Sequence, residues 1–221
     1  MDWHHETSGW SGLQFFGKMS ASISHEIKNA LATINETAGL LEDLTFLAEK
    51  GKPLDSERLK TLSGRIMKQV RRADEIVKNM NRFAHSIDDS VKSVELGEVL
   101  KLMAALSERF ASMRGITLEM NPPSSPVAIT TDPFFLNHLL WRCVDFAMNA
   151  AGQGKTVGLL TEETENGPRI RFTRLEGLAE APADTFPAQG EKDLLDALKA
   201  ELRVDAEAGE LVLALSRDIS P

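Results

Sequence analysis

One cysteine, Cys143, stands among 221 residues. No intramolecular disulfide can form, and no Cys/His spacing fits a structural zinc site, so a reducing compartment is expected, the cytoplasm first of all. Basic charge is also short: 25 Lys plus Arg face 33 Asp plus Glu, a net charge of -8. Nucleic-acid binders carry the opposite sign, so no nucleic-acid partner is expected. No apolar run reaches the roughly 18 to 20 residues that span a bilayer. Met1 to Trp10 lacks the basic-then-apolar order of a signal peptide, so no membrane association is expected either. Proline is scarce in the first part, where Pro53 alone falls between Ser11 and Ile87; the other eight lie beyond residue 91.

What is present has the balance of a folded chain, with 42% hydrophobic and 26% charged residues. From Ser11 to Ile87 apolar residues recur at helical spacing on both sides of a turn at Lys50-Gly51-Lys52-Pro53-Leu54-Asp55. In the first arm Phe16, Ser20, Ile23, Ile27, Ala30, Ile34, Thr37, Leu41, Leu44 and Ala48 step by four and three, a heptad seam. In the second arm Leu59, Leu62, Ile66, Val70, Ala73, Ile76, Met80 and Phe83 form a similar stripe, with Asp55 or Ser56 placed to cap its start. Leu13, Phe15, Met19, Leu31, Leu40 and Val77 widen these stripes beyond what one partner helix can cover. The expectation is a homodimer that closes a four-helix bundle, the alternative being a hairpin covered by the chain's own C-terminal half.

The polar stretch Ser86 to Ser93 then reads as a separator. Residues 1–90 hold 12 basic and 13 acidic side chains and residues 91–221 hold 13 and 20, so most of the negative charge lies in the second part. There the pattern predicts helices at 95–114, 133–151 and 191–202. Strands are expected near 117–120, 127–131, 155–162, 168–174, 203–206 and 210–216, with an irregular stretch at 176–190. The fold class is α+β: a long helical hairpin over 1–90, then an α/β sandwich over 94–221.

The seam places Ile23 and Ile27 inward, so His25 points outward, with Glu26 beside it and Asn29 one turn on at i+4. The segment Ser22-Ile23-Ser24-His25-Glu26-Ile27-Lys28-Asn29-Ala30-Leu31 resembles the phosphoacceptor box of bacterial two-component histidine kinases, with Ala30 where the family has Pro. The resemblance implies a dimerisation and histidine-phosphotransfer hairpin whose imidazole exchanges a phosphoryl group with an aspartate of a response-regulator receiver domain. A neutral imidazole is a good nucleophile near pH 7. A flanking carboxylate, Glu26, can orient it or take its proton, and an amide at Asn29 can position a water for dephosphorylation.

By element order the second part resembles the ATP-binding domain of the same kinases. Counting from Asp132-Pro133, the family's two asparagines, the second of which holds magnesium, would fall at positions occupied by Arg142 and Phe146. After the strand 168–174 comes Arg174-Leu175-Glu176-Gly177-Leu178, with no aspartate and one glycine where an Asp-x-Gly-x-Gly box is expected. No glycine lies between Gly177 and Gly190, so a phosphate lid has no backbone freedom there. These departures argue against ATP and against any tightly bound cofactor; magnesium is expected only on the partner receiver. The expected function is a histidine phosphotransfer protein of a phosphorelay, most like the phosphotransferases built as degenerate kinases. The alternatives are a histidine kinase with a divergent ATP site and a non-catalytic scaffold or inhibitor. With about ten residues before the first helix, no sensor segment is expected.

Other candidates read as structural. Gly152-Gln153-Gly154-Lys155-Thr156 ends like a phosphate-binding loop, but it leaves a helix and enters a strand, the reverse of the required context. His4 and His5 beside Glu6 form a weak metal candidate at a frayed end. His85 closes the second helix, His138 packs locally, and Cys143 is an inert core thiol.

Overall fold

A computed structural model describes residues 3–121, 125–180 and 186–220. In chain order the elements are α1 (Trp3–Glu49), α2 (Ser56–Ala84), β1 (Lys92–Glu95), α3 (Leu96–Arg114), β2 (Thr117–Asn121), β3 (Ala128–Thr131), α4 (Pro133–Asn149), β4 (Thr156–Thr164), β5 (Gly167–Thr173), α5 (Gln189–Ala197), β6 (Glu201–Asp205) and β7 (Glu210–Ala214). Cα packing gathers Met19–Arg82 into one compact unit, and the residues up to Lys18 with those from Phe83 onward into another. The protein is α+β, a long helical hairpin followed by a mixed sheet.

The hairpin turns where the sequence places it. Gly51 adopts φ +81, and the N–H groups of Gly51 and Lys52 donate to the carbonyls of Ala48 and Leu47, the Schellman arrangement that a left-handed glycine permits. Asp55 caps α2, its Oδ1 accepting from the N–H groups of Glu57 and Arg58 at 3.0 and 3.2 Å. Along α1 the buried line is Ile23, Ala30, Thr37 and Leu44, spaced by seven. Thr37 sits in this line without an unpaired hydroxyl because its Oγ1 donates to the Thr33 carbonyl at 2.7 Å.

Two members of the expected α2 stripe depart from it. Val70 is 45% and Met80 37% exposed, and the half-buried neighbours Gln69 and Asn79 turn inward instead. Near the start of α1 the same slip puts Phe15 and Met19, rather than Phe16 and Ser20, in the buried line. A straight helix drifts about 20° per heptad against a strict seven-residue repeat, so a stripe read from spacing alone wanders by one residue.

In the other unit five strands run in the order β2-β4-β5-β7-β6, with β2 parallel to β4 and the rest antiparallel. Helices α3 and α4 pack on each other and against the central strands. Strand β5 shows the two-sided character: Ile170 and Phe172 are fully buried, while Arg169 and Arg171 face the other way and pair with Glu162. Both packing helices are capped by carboxylates. Glu95 accepts from the N–H groups of Gly97 and Glu98, and Asp132 accepts from that of Phe135. Burial pushes the Asp132 carboxyl above its ordinary range, against the pull of those backbone donors.

Two expectations are corrected here. The separator at 86–93 ends in strand β1, which pairs antiparallel with β3 from Lys92↔Thr131 to Glu95↔Ala128. Lys92-Ser93-Val94-Glu95 has one apolar residue, so the strand owes its existence to the partner that receives it. The helix expected at 191–202 spans Gln189–Ala197, and Glu201–Asp205 is β6. Leu195, Leu198 and Leu202 continue a helical spacing, but Lys199 takes φ +47, the helix stops, and Leu202 pairs with Leu213 of β7.

His138 on α4 is 4% exposed, stacked on Phe15 with ring centroids 4.7 Å apart and planes 7° from parallel. Its pKa is lowered to about 4, first by burial and then by Arg142, against a smaller opposing pull from Glu191. The unfolded chain therefore binds a proton at His138 between pH 6.5 and 4 that the folded chain refuses. Stability is full above 6.5 and falls as the pH drops through that window, by about 3 kcal/mol. His138→Phe keeps the ring and removes the proton. Urea unfolding at pH 6.5 and pH 4 should show a smaller loss for the variant; equal losses would disprove the role.

Candidate functional site

The chemistry expected at the hairpin starts from the spacing on α1. Because Ile23 is buried and Ile27 half-buried, the ring two residues past Ile23 must face out, and His25 is exposed. Asn29, one turn on, brings its side-chain nitrogen to 3.2 Å from His25 Nδ1 and to 3.4 Å from Glu26 Oε1. Glu26 is half-buried, and its second oxygen takes Arg72 of α2 at 2.5 Å. The three residues singled out from the sequence thus converge on one face, joined by a fourth that the sequence did not offer. Arg72 is one of several basic residues on α2, and only the register of the hairpin selects it.

An amide nitrogen can only donate, so Nδ1 of His25 is the acceptor and the ring proton sits on Nε2. The imidazole therefore has one nitrogen engaged by its own helix and one open to solvent. Such a ring can receive an electrophile there only once Nε2 gives up its proton. Among the described residues Glu26 makes no hydrogen bond to His25, its two oxygens being taken by Asn29 and Arg72.

Arg142 and Phe146 lie in the other unit, on α4. The Arg142 guanidinium pairs with Glu191 of α5, a carboxylate 1% exposed whose other oxygen accepts from the Ala188 N–H at 2.9 Å. Phe146 stacks on Phe186, centroids 4.3 Å apart and planes 10° from parallel. Side chains of the protein itself thus occupy both residues. Glu191 and Phe186 were not singled out from the sequence, since a lone Glu in a short helix and a Phe before a proline carry no signal of their own. A guanidinium and a phenyl ring supply no oxygen ligand, so these positions do not suit a magnesium-bound nucleotide.

Cys143 is fully buried, and burial drives its thiol far above the ordinary range, which suits an inert core group. The glycine-bearing loop links α4 to β4, and its Gly154 N–H already donates to the Glu176 carboxylate at 3.3 Å. His85 is exposed and holds Asp88 at 2.7 Å. His4, His5 and Glu6 lie outside the described side chains, as do residues 181–185 of the expected lid. Among the described residues no group of three His, Cys, Asp or Glu side chains could hold a metal, and no helix is long and apolar enough to cross a membrane.

Residues 17–88 match the His Kinase A (phospho-acceptor) domain. The match spans the helical hairpin and includes His25. No curated protein matches the chain significantly. Among solved structures it is similar to the Acinetobacter baumannii histidine kinase AdeS, at 14% identity over 87% of this chain and 98% of that one, TM-score 0.48. It is similar to a bacterial phosphotransferase at 16% identity over 92% and 96% of the two chains, TM-score 0.47. It is also similar to full-length ShkA in complex with AMPPNP at 17% identity, TM-score 0.49, covering 96% of this chain and 46% of that longer one.

Proposed function

We propose that the protein is a histidine phosphotransferase of a phosphorelay, exchanging phosphoryl groups between His25 and receiver aspartates. The observation that carries this reading is the pairing of an exposed, amide-held imidazole on the phosphoacceptor hairpin with α4 positions whose side chains are consumed by Glu191 and Phe186. The first supplies a nucleophile; the second offers no oxygen ligand for a nucleotide's magnesium at these two positions. In the transfer an imidazole nitrogen forms the N–P bond and the P–O bond to the donor's carboxylate breaks. The electron pair leaves on that carboxylate and the ring gives up its proton. The test is incubation of the purified chain with phosphorylated receivers, which should leave an acid-labile, base-stable label on it.

The hairpin also argues for a homodimer. Leu31, Phe46, Met67, Val70, Val77 and Met80 are large, apolar and exposed in the single chain, on the two helices whose other faces pack together. A second hairpin brings an apolar stripe of the same length and closes a four-helix bundle.

The expected absence of nucleotide binding is measurable directly. Calorimetric titration of the chain with ATP should give no heat attributable to binding, with or without magnesium. Micromolar, magnesium-dependent binding would restore the autokinase reading.

A further inference from the structure

The ion pair between Arg72 and Glu26 lies inside the site and has no assigned part in transfer. Building on His25 as phosphoacceptor, we propose that Arg72 is a positioning residue that withholds Glu26 from His25 until a phosphorylated donor takes up its guanidinium. Glu26 spends one oxygen on Arg72 at 2.5 Å and the other on Asn29 at 3.4 Å, so neither oxygen is bonded to the imidazole beside it. Asn29 then donates to His25 Nδ1, which favours the ring proton on Nε2. The nitrogen open to solvent is thus the one whose lone pair is covered by a proton. The free chain rests in the tautomer that cannot attack through Nε2.

A phosphoryl donor changes the balance because its oxygens suit the same fork. Arg72 is half exposed, and a guanidinium engages phosphate oxygens at least as well as a carboxylate. The chain around it favours the approach of an anion: Arg58, Lys60, Arg65, Lys68, Arg71 and Arg72 follow one another on α2 with no acidic residue among them. Once Arg72 turns to the incoming phosphoryl group, Glu26 is free to accept a proton from Nδ1, and the ring proton moves there. The Nε2 lone pair forms the N–P bond, the donor's P–O bond breaks with its electrons leaving on the donor carboxylate, and the Nδ1 proton passes to Glu26. Arg72 in this scheme touches Glu26 at rest and the phosphoryl group only during transfer.

The test uses the full chain with 15N-labelled histidine and potassium phosphoramidate, a small donor whose P–N bond breaks with ammonia leaving. In the wild type the His25 nitrogen shifts should report the Nε2–H form. In R72Q they should move toward Nδ1–H, in R72K they should stay with the wild type, and in R72Q/E26Q they should return to it. Labelling of His25 should split in the same way. R72Q needs more phosphoramidate for half-saturation, having lost the attracting cation, yet its limiting rate rises several-fold, below the roughly 100-fold of a fully positioned base. Unchanged nitrogen shifts in R72Q, or the same gain of rate with Glu26 already replaced, would overturn the proposal. A label persisting in H25Q would instead overturn the phosphoacceptor reading, while the nitrogen shifts, which need no transfer, judge Arg72 separately. Circular dichroism and urea midpoints of the variants show whether the hairpin has stayed folded.

Discussion

Replacing His25 by Gln is expected to abolish the phosphoryl label that a phosphorylated receiver leaves on the protein, and to leave the fold as it is. The ring is exposed on α1 and its one recorded side-chain partner is the equally exposed amide of Asn29, so its removal should change stability by no more than about 0.5 kcal/mol. Gln retains a polar side chain of similar reach but has no nitrogen able to form a stable N–P bond. The loss should therefore be complete rather than partial. His85 supplies the internal control, since it is the other histidine of the 11–90 segment, is also exposed, and is held by Asp88 with no amide at i+4. H85Q should label like the wild type. Labelling that survives H25Q and vanishes in H85Q would move the site and remove the reading of the hairpin chemistry with it. Unfolding curves of both variants, superimposable on the wild type, would show that the readout is chemical.

Ile34→Asp is expected to convert a dimer into monomers. Ile34 is half-buried in the single hairpin and shares a face of α1 with Ile27 and the exposed Leu31. In a four-helix bundle the two copies of that face meet across the symmetry axis, so one substitution introduces two carboxylates. Burying an unpaired charge costs several kcal/mol for each, enough to move a micromolar association beyond reach. Within one chain the side chain can turn to solvent, so helix content should fall little. Light scattering at tens of micromolar should give the dimer mass for the wild type and the monomer mass for the variant. A wild-type monomer at that concentration would refute the bundle.

The hairpin and the composition of its site could be read from spacing because helices report themselves locally. The turn at Lys50 to Asp55, the cap at Asp55 and the outward placement of His25, Glu26 and Asn29 all follow from residues within one or two turns of each other. Where two elements must meet, the same reading slipped. Within one hairpin Gln69 and Asn79 turn inward while Val70 and Met80 stay exposed, because the one-residue choice between neighbours belongs to the partner helix. Strand β1 was read as a separator, because a four-residue edge segment with a single Val is made a strand by β3. The end of α5 was overrun, because Leu202 fits a helical period and a β pairing equally well.

By itself, then, the sequence determined the α+β class, the long helical hairpin, and the residue types at the phosphoacceptor, all of which rest on contacts three or four residues apart. The tertiary structure decided that Arg72, among eight basic residues on α2, holds Glu26, and that Arg142 and Phe146 are taken by Glu191 and Phe186. Those pairings join residues 40 or more positions apart, and no local periodicity encodes which of several like side chains the folded register brings within reach.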